Sequence, residues 1–409
     1  MRFTVVAYGS EGDTRPIAAV CRGLMDAGHE VTLFGEQSAV ETVRKHGISA
    51  QVLTGDVKAT LPLDNPSREL SKPDILRSIR RMSRLIREST RPWMQSVADH
   101  ARTTDAILFS GLASAMAQAV AEELHKPAIQ LWLQPTTPTR EFPSPMLPPL
   151  SLPGWLNRFT YHLLSPHAML RRAYGKAANA ARRQLFRTRS HHGTTGSFPI
   201  LYGFSRHLVR RPNDWPNEQE ICGHWELPPL SWRAPSELLQ FLSAGGPPIY
   251  VGFGAASFAI RKRGLTEIIS AIGGRRALFY PGWSKISADM LPPNFFVVSD
   301  TPHSWLFPQT SMVIHHCGAG TTHTASRAGV PSVGLPLGGD QLFWAGRLAL
   351  AGVAPKHMSA AKVEAKSLAR MIEFAERDEV RARAKALGAA MAEENGVAAA
   401  VQEIETLLR

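Results

Sequence analysis

The strongest chemical signal is one run, Val313-Ile314-His315-His316-Cys317-Gly318-Ala319-Gly320-Thr321-Thr322, in which an apolar strand passes into a small-residue turn where a helix should begin. Glycine lets a ligand approach the backbone closely. The unpaired N–H groups and the positive dipole end of the following helix make such a turn an anion site, and His316 could add a ring N–H. The anion this cradle suits is a diphosphate. The alternative is a tight turn with Thr321 merely capping the helix, and the glycines alone do not separate the two. After one more helix and strand, Pro336-Leu337-Gly338-Gly339-Asp340-Gln341 sets an acid beside an amide at a second strand-to-helix junction. They offer acceptors and donors suited to vicinal sugar hydroxyls, although an N-cap role for Asp340 is equally ordinary. What tips the balance is the pair's position one unit downstream of the phosphate turn.

A third candidate lies near the N-terminus. Gly9-Ser10-Glu11-Gly12-Asp13 closes the first strand, but it is not the GxGxxG of a dinucleotide fingerprint. Asp13 stands at the C-terminal edge of that strand, where open α/β sheets place ligands; on its own it also reads as a helix N-cap. Trp132, Phe142, Trp155 and Phe159 are candidates to line an apolar acceptor pocket, with core packing the alternative for each.

These residues need an alternating scaffold to hold them, and the pattern supplies one. Arg2 to Tyr8 reads as a buried strand, Gly9 to Asp13 as a tight turn, Pro16 to Ala27 as a helix opened by proline, and Glu30 to Phe34 as the next strand. The unit recurs at Asp105 to Phe109, Leu112 to His125 and Ala128 to Leu133. Seven prolines between Pro135 and Pro153 exclude regular structure there and predict a long loop. A second series starts near Pro247, with strands at Pro248 to Phe253, Met312 to His315 and Pro331 to Leu335. The joint falls around Arg211 to Ala244, and the Ala-rich stretch beyond Ser359 reads as two helices. The fold class expected is α/β, with two Rossmann-like halves.

Composition narrows the possibilities. The 409 residues carry 46 Lys+Arg and 34 Asp+Glu, net +12. Up to Trp215 the count is 28 basic against 17 acidic, which leaves 18 against 17 for the rest, so the charge belongs to the first half. Three scattered cysteines encode neither a disulfide framework nor a zinc knuckle. No signal peptide or stretch of 18 uncharged apolar residues is present, and a cytoplasmic protein is expected. From Ile75 to Arg91, the residues Ile75, Ile79, Met82 and Ile86 recur at helical spacing opposite Arg77, Arg80, Arg81, Arg84 and Arg87. A second basic run spans Arg171 to Arg189. The long helix suits peripheral contact with an anionic membrane, or else a solvated face whose apolar stripe packs on the core. Nucleic acid ranks lowest, since no binding motif accompanies the charge.

From His315 to Pro355 the run HHCGAGTTHTASRAGVPSVGLPLGGDQLFWAGRLALAGVAP resembles the donor-binding signature of the nucleotide-sugar-dependent glycosyltransferases, the family of sterol glucosyltransferases, bacterial antibiotic glycosyltransferases and plant secondary-metabolite glucosyltransferases. The resemblance continues at Tyr8 to Pro16, Arg211 to Pro216, Ile249 to Gly254 and Pro302 to Pro308, in order along nearly the whole chain. It implies the GT-B fold, two Rossmann-like domains facing across a cleft. The implied division is an acceptor domain at 1–215, a linker at 216–244, a nucleotide-sugar domain at 245–385 and a C-terminal helix at 386–409 returning to the first domain. It further implies that His316 and the N–H groups of Gly318, Ala319, Gly320, Thr321 and Thr322 hold the diphosphate. Asp340 and Gln341 would bind the sugar, with Gly12 and Gly254 bordering the site. Departures are Ala255 where the family usually has serine, Thr324 where plant members have a ribose-binding glutamate, and no base-stacking tryptophan near Val298.

The resemblance also makes Asp13 the general base, as proposed for bacterial members. Inverting transfer requires the acceptor hydroxyl to lose a proton as it attacks the anomeric carbon, which a carboxylate can accept. Donors already aimed at the departing diphosphate stabilise its charge. An ordinary aspartate is a weak base for an alcohol, so Asp13 needs a raised pKa or a late, oxocarbenium-like transition state. No DxD motif occurs, so neither a metal held by one nor a cofactor is expected. The expected partners are a nucleoside-diphosphate sugar, UDP-glucose before dTDP sugars, and an apolar hydroxyl-bearing acceptor. A non-catalytic auxiliary protein of the same fold is the alternative.

Overall fold

The structure is a computed structural model that describes residues 1–61, 72–187, 198–254, 257, 260, 262–284 and 286–409, without the side chains of residues 72, 73 and 75. Ala255, the side chain of Ile75 and the end of the basic run at Arg189 therefore lie outside the described residues.

Seven strands form the first sheet: β1 (Arg2–Tyr8), β2 (Glu30–Gly35), β3 (Ser49–Val52), β4 (Ala106–Gly111), β5 (Ala128–Trp132), β6 (Ile200–Tyr202) and β7 (Gln219–Ile221). Their spatial order is β3-β2-β1-β4-β5-β6-β7, and every pair is parallel. The second sheet holds β8 (Ile249–Gly252), β9 (Ala277–Tyr280), β10 (Phe295–Val297), β11 (Met312–His315) and β12 (Ser332–Gly334), in the order β10-β9-β8-β11-β12, again all parallel. Helices cover both faces, so strands such as β1 are buried at almost every residue. Strands β3, β6 and β7 extend the first sheet beyond what periodicity suggested, since three or four residues are too few to show an alternation.

In each sheet the strand order reverses once, between β1 and β4 in the first and between β8 and β11 in the second. The carboxyl ends of strands at such switch points leave a crevice for ligands. Asp13 follows β1, Gly254 follows β8 and His316 follows β11, so all three candidates leave their sheets at these crevices.

The first helix starts earlier than its proline suggested, at Glu11 rather than Pro16, and runs to Asp26. Its start is fixed by Ser10 and Asp13: the Ser10 backbone N–H and hydroxyl both donate to Asp13 Oδ2 at 2.8 Å, and Asp13 N–H donates back to Ser10 O at 2.9 Å. This reciprocal cap satisfies the first turn. Pro16 consequently falls inside the helix and withdraws one N–H from its ladder.

Beyond Ser359 there are three helices, not two: Ala365–Ala375, Asp378–Ala392 and Gly396–Leu407. Ala400 and Ile404 of the last are fully buried in the core under the first sheet, against helix Glu11–Asp26. Trp225 Nε1 donates to Gly396 O at 3.1 Å, and His29 Nε2 meets Glu405 Oε1 at 3.0 Å. The chain thus ends on the domain where it began.

The proline-rich loop is held by hydrogen bonds rather than by regular structure. Thr139 Oγ1 and Arg140 N–H donate to the Asp214 carboxylate at 2.6 and 2.9 Å, and Trp215 Nε1 donates to Thr137 O at 3.2 Å. Its tip reaches the second domain, where Phe142 lies 5.6 Å from Phe343 and under the Arg347 guanidinium.

Candidate active site

A cleft of about 700 Å³ separates the two sheets, lined from one side by Ser10 to Pro16 and from the other by Gly254, His316, Gly318 to Thr321, Asp340 and Gln341. Residues more than 300 positions apart in the chain thus form one chamber.

On the second domain, β11 ends at His315 and helix Ala319–Arg327 begins behind an N-cap at Gly318. The turn between them is tight. Cys317 adopts φ 62°, a left-handed conformation unusual outside glycine, and its N–H donates to His315 Nδ1 at 3.2 Å. His316 leaves this turn into the cleft wall, and its Nε2 lies 2.5 Å from where a Cβ on residue 318 would stand. Only glycine at 318 leaves the ring this place. Gly254, at φ 50°, flanks the ring on the other side. Burial pushes His316 down to about 4, so at pH 7 it is a neutral hydrogen-bonding ring rather than a cation. His303, also in the cleft, is held near 4 by burial and then by Arg15 and His316.

The sugar-binding candidates open helix Asp340–Leu350 behind Gly339, whose φ of 63° turns the chain. Gln341 Oε1 accepts from Leu337 N–H at 2.8 Å, which pins the amide and leaves its NH₂ to donate into the cleft. Asp340 is raised to about 6 by burial first and by the charge of Asp13 second, partly offset by the Trp344 indole and by backbone N–H groups. The two carboxylates thus feel each other across the cleft. Asp13 is itself raised by burial, while its hydrogen bonds from Ser10 act in the opposite sense. Water still reaches its side chain through the open cleft, which moderates this rise.

Of the candidate donor residues, Gly12, Gly254, His316, Gly318, Ala319, Gly320, Thr321, Asp340 and Gln341 come together on the cleft, as does Asp13. Thr322 does not: its side chain is fully buried, and its N–H is taken by Gly318 O at 2.9 Å. None of the four aromatic acceptor candidates reaches the cleft. Trp132 is in the core, donating to Gln130 Oε1, and Phe142 packs on Phe343. Trp155 and Phe159 lie on the outer surface, 70% and 50% exposed. Helix Gly154–Leu164 buries Asn157, Thr160 and Tyr161 and turns Trp155, Phe159 and Leu163 outward. Conversely, the cleft holds Arg15, Tyr280, Trp283 and Trp232, which the sequence reading did not single out. Arg15 had a signal, being two residues from Asp13; Tyr280 ends β9, and Trp232 and Trp283 sit in loops without a pattern. Among the described residues, no group of three or more His, Cys, Asp or Glu is placed to hold a metal.

Comparison with known proteins agrees with this architecture. Residues 280–407 match the family described as Erythromycin biosynthesis protein CIII-like, C-terminal domain. Over 415 residues the chain is 31% identical to a sterol 3-beta-glucosyltransferase of Arabidopsis thaliana, across 98% of this chain and 67% of that protein. The chain belongs to this glycosyltransferase family. It is also 29% identical over 435 residues to the O-mycaminosyltylonolide 6-deoxyallosyltransferase of Streptomyces fradiae, covering 99% of this chain and 97% of that one. The chain spans 65% of a second Arabidopsis sterol relative and 30% of those of Aspergillus oryzae and Emericella nidulans. Among solved structures, the glycotransferase of kitacinnamycin superimposes with a TM-score of 0.69 at 18% identity, over 100% of this chain and 99% of that chain. The glycosyltransferase therefore has the two-domain GT-B fold, and its relatives imply a nucleotide-sugar donor and a small-molecule acceptor.

Proposed function

We propose that this glycosyltransferase transfers a hexose, with inversion, from a nucleoside-diphosphate sugar to a hydroxyl of an apolar small molecule or lipid, with UDP-glucose the favoured donor and no metal required. The observation that carries the reading is the meeting of Asp13 and Asp340 from opposite domains beside the free N–H groups of the Gly318 turn. In this reaction the acceptor oxygen bonds to the anomeric carbon as the bond from that carbon to the diphosphate breaks. The acceptor proton passes to Asp13, whose raised pKa makes it a better base than a free aspartate. Asp340 and the Gln341 NH₂ orient the sugar. The Gly318 to Thr321 N–H groups and His316 take up the charge of the leaving diphosphate.

Sterol-like acceptors come first because plant and fungal relatives carry sterol glucosyltransferase names, and a macrolide-like acceptor with a dTDP sugar second, after the Streptomyces relative. Such acceptors reside in or partition into membranes, and the acceptor domain is equipped to work there as a peripheral cytoplasmic protein. On helix Lys72–Ala101 the residues Arg77, Arg80, Arg81, Arg84 and Arg87 are exposed, and the apolar stripe is buried only from Ile86 onward, with Ile79 56% exposed. Among the described residues no helix is long and apolar enough to cross a membrane.

The test is a thermal-shift screen of UDP, dTDP and their sugars, followed by product mass measurement with a mixed acceptor panel and the anomeric proton coupling of the product. Retention of configuration overturns the mechanism. Donor binding with neither transfer nor slow hydrolysis favours the auxiliary protein instead.

A further inference from the structure

The cleft has an unequal distribution of fixed charge. Among the described residues that line it, the cations are Arg15 and Lys45, and both belong to the acceptor domain. The donor side contributes Asp300 and Asp340 and the histidines His303 and His316, both neutral at pH 7. A departing nucleoside diphosphate gains negative charge on the oxygen that leaves the sugar, and backbone N–H groups supply only partial charges against it. A full positive charge is worth more where bound substrates have displaced water from the cleft than the same charge in solvent.

Arg15 is placed to supply it. It lies on helix Glu11–Asp26, two residues beyond Asp13, and lines the chamber that holds the Gly318 turn. Its side chain is half-buried, and it makes no ion pair or hydrogen bond among the described residues. Its charge is nonetheless felt in the opposite domain: after burial it is the next cause holding the His303 imidazole near 4, and it opposes the rise of the Tyr280 phenol. Lys45 is more exposed, at the end of helix Gln37–Lys45, where solvent screens it. A half-buried guanidinium with all its donors free suits phosphate oxygens, which it can grip in bidentate fashion.

We infer that Arg15 is a catalytic residue of this transferase, the cation that the acceptor domain delivers across the cleft to the diphosphate as it departs. The inference rests on the reading of the cleft as a nucleotide-sugar site. It makes leaving-group stabilisation depend on both domains, since the N–H cradle is on one and the countercharge on the other.

The full chain with Arg15→Gln and with Arg15→Lys tests this, through dissociation constants for UDP and dTDP against uridine and thymidine, and through kcat and KM for the sugar donor. The expected result for Arg15→Gln is at least tenfold weaker binding of the diphosphates, unchanged binding of the nucleosides, and a kcat lower by about a hundredfold. Diphosphate binding should also lose part of its dependence on ionic strength, and Arg15→Lys should restore part of both losses. Equal losses for nucleoside and diphosphate would reveal a merely structural role and overturn the assignment. So would diphosphate affinity and kcat within twofold of wild type. Wild-type protein that binds no nucleoside diphosphate overturns the site reading and Arg15 with it, whereas wild-type binding that Arg15→Gln leaves intact overturns Arg15 alone.

Discussion

Asp340→Asn should make the ligand-free protein more stable while crippling it as an enzyme. The native state takes up the Asp340 proton near pH 6, against 3.8 for an ordinary aspartate. Between those values the native state binds more protons than the unfolded chain, so this group costs stability as pH rises through the window, and the cost is complete above about pH 6. At 1.36 kcal/mol per unit the shift corresponds to about 3 kcal/mol. Asp340 keeps some solvent contact in the cleft, and screening there reduces the figure to about 1–2 kcal/mol. Asparagine keeps the shape and one acceptor oxygen but not the charge. At pH 7 its melting temperature should exceed that of wild type by roughly 1–2 °C, and the gap should close as the pH falls to about 4. Melting curves of both proteins at pH 7, 6, 5 and 4 measure this, and the difference isolates Asp340 from the buried histidines common to both. Adding Asp13→Asn to both should narrow the gap, because the Asp13 charge is the second cause of the shift. An Asp340→Asn protein that melts at or below wild type at pH 7, or a gap that persists unchanged at pH 4, would refute the reasoning.

Asp13→Asn should lower turnover about 10²- to 10⁴-fold with UDP affinity retained within about threefold; near-normal turnover would remove Asp13 from the base role. Gly318→Ala should weaken UDP binding by at least about tenfold, because its Cβ would stand 2.5 Å from His316 Nε2 and force the ring from its place; unchanged affinity in isothermal titration would show that His316 does not serve the diphosphate. Replacing Arg77, Arg80, Arg81, Arg84 and Arg87 by glutamine should abolish sedimentation with anionic vesicles, leaving turnover on a detergent-dispersed acceptor within about twofold; vesicle binding equal to wild type would show that this basic face is not the contact.

The alternation of strands and helices was legible because it depends on local pattern, as at Arg2–Tyr8 and Met312–His315. The start of the first helix was not, because Pro16 is a stronger punctuation mark in a sequence than Ser10 and Asp13, whose mutual hydrogen bonds set the boundary. Helix Gly154–Leu164 shows a deeper limit. Residues 155, 159 and 163 recur at a spacing that reads as a core-facing stripe, yet the buried face is Asn157, Thr160 and Tyr161. Ser144 N–H donates to the hydroxyl of Thr160 at 2.8 Å and the Asn157 amide to Arg140 O at 2.9 Å, so a polar face is buried because its partners come from the proline-rich loop. Periodicity reports that two faces differ, not which one finds a partner. In the cleft the glycine turn and the Asp340-Gln341 pair were readable, being contiguous. The charge states were not: neutral histidines and a raised Asp340 follow from burial and from a carboxylate 327 positions away in the chain.

The opposition of Asp13 and Asp340 gives the open cleft a bias of its own. With no ligand, each carboxylate is disfavoured by burial, and Asp340 is disfavoured further by its counterpart. A sugar hydroxyl donating to Asp340 and an acceptor hydroxyl donating to Asp13 supply hydrogen bonds that favour the charged forms, so binding of either substrate draws its own carboxylate toward ionisation. The demands on the two differ. In the proposed reaction Asp340 would stay charged to hold the sugar, whereas Asp13 would accept a proton as the glycosidic bond forms. The charge of Asp340 then favours proton transfer to Asp13, since neutralising Asp13 removes the repulsion between them. A pair of carboxylates that costs the empty protein stability would thus assist the proton transfer of the proposed reaction once both substrates are in place.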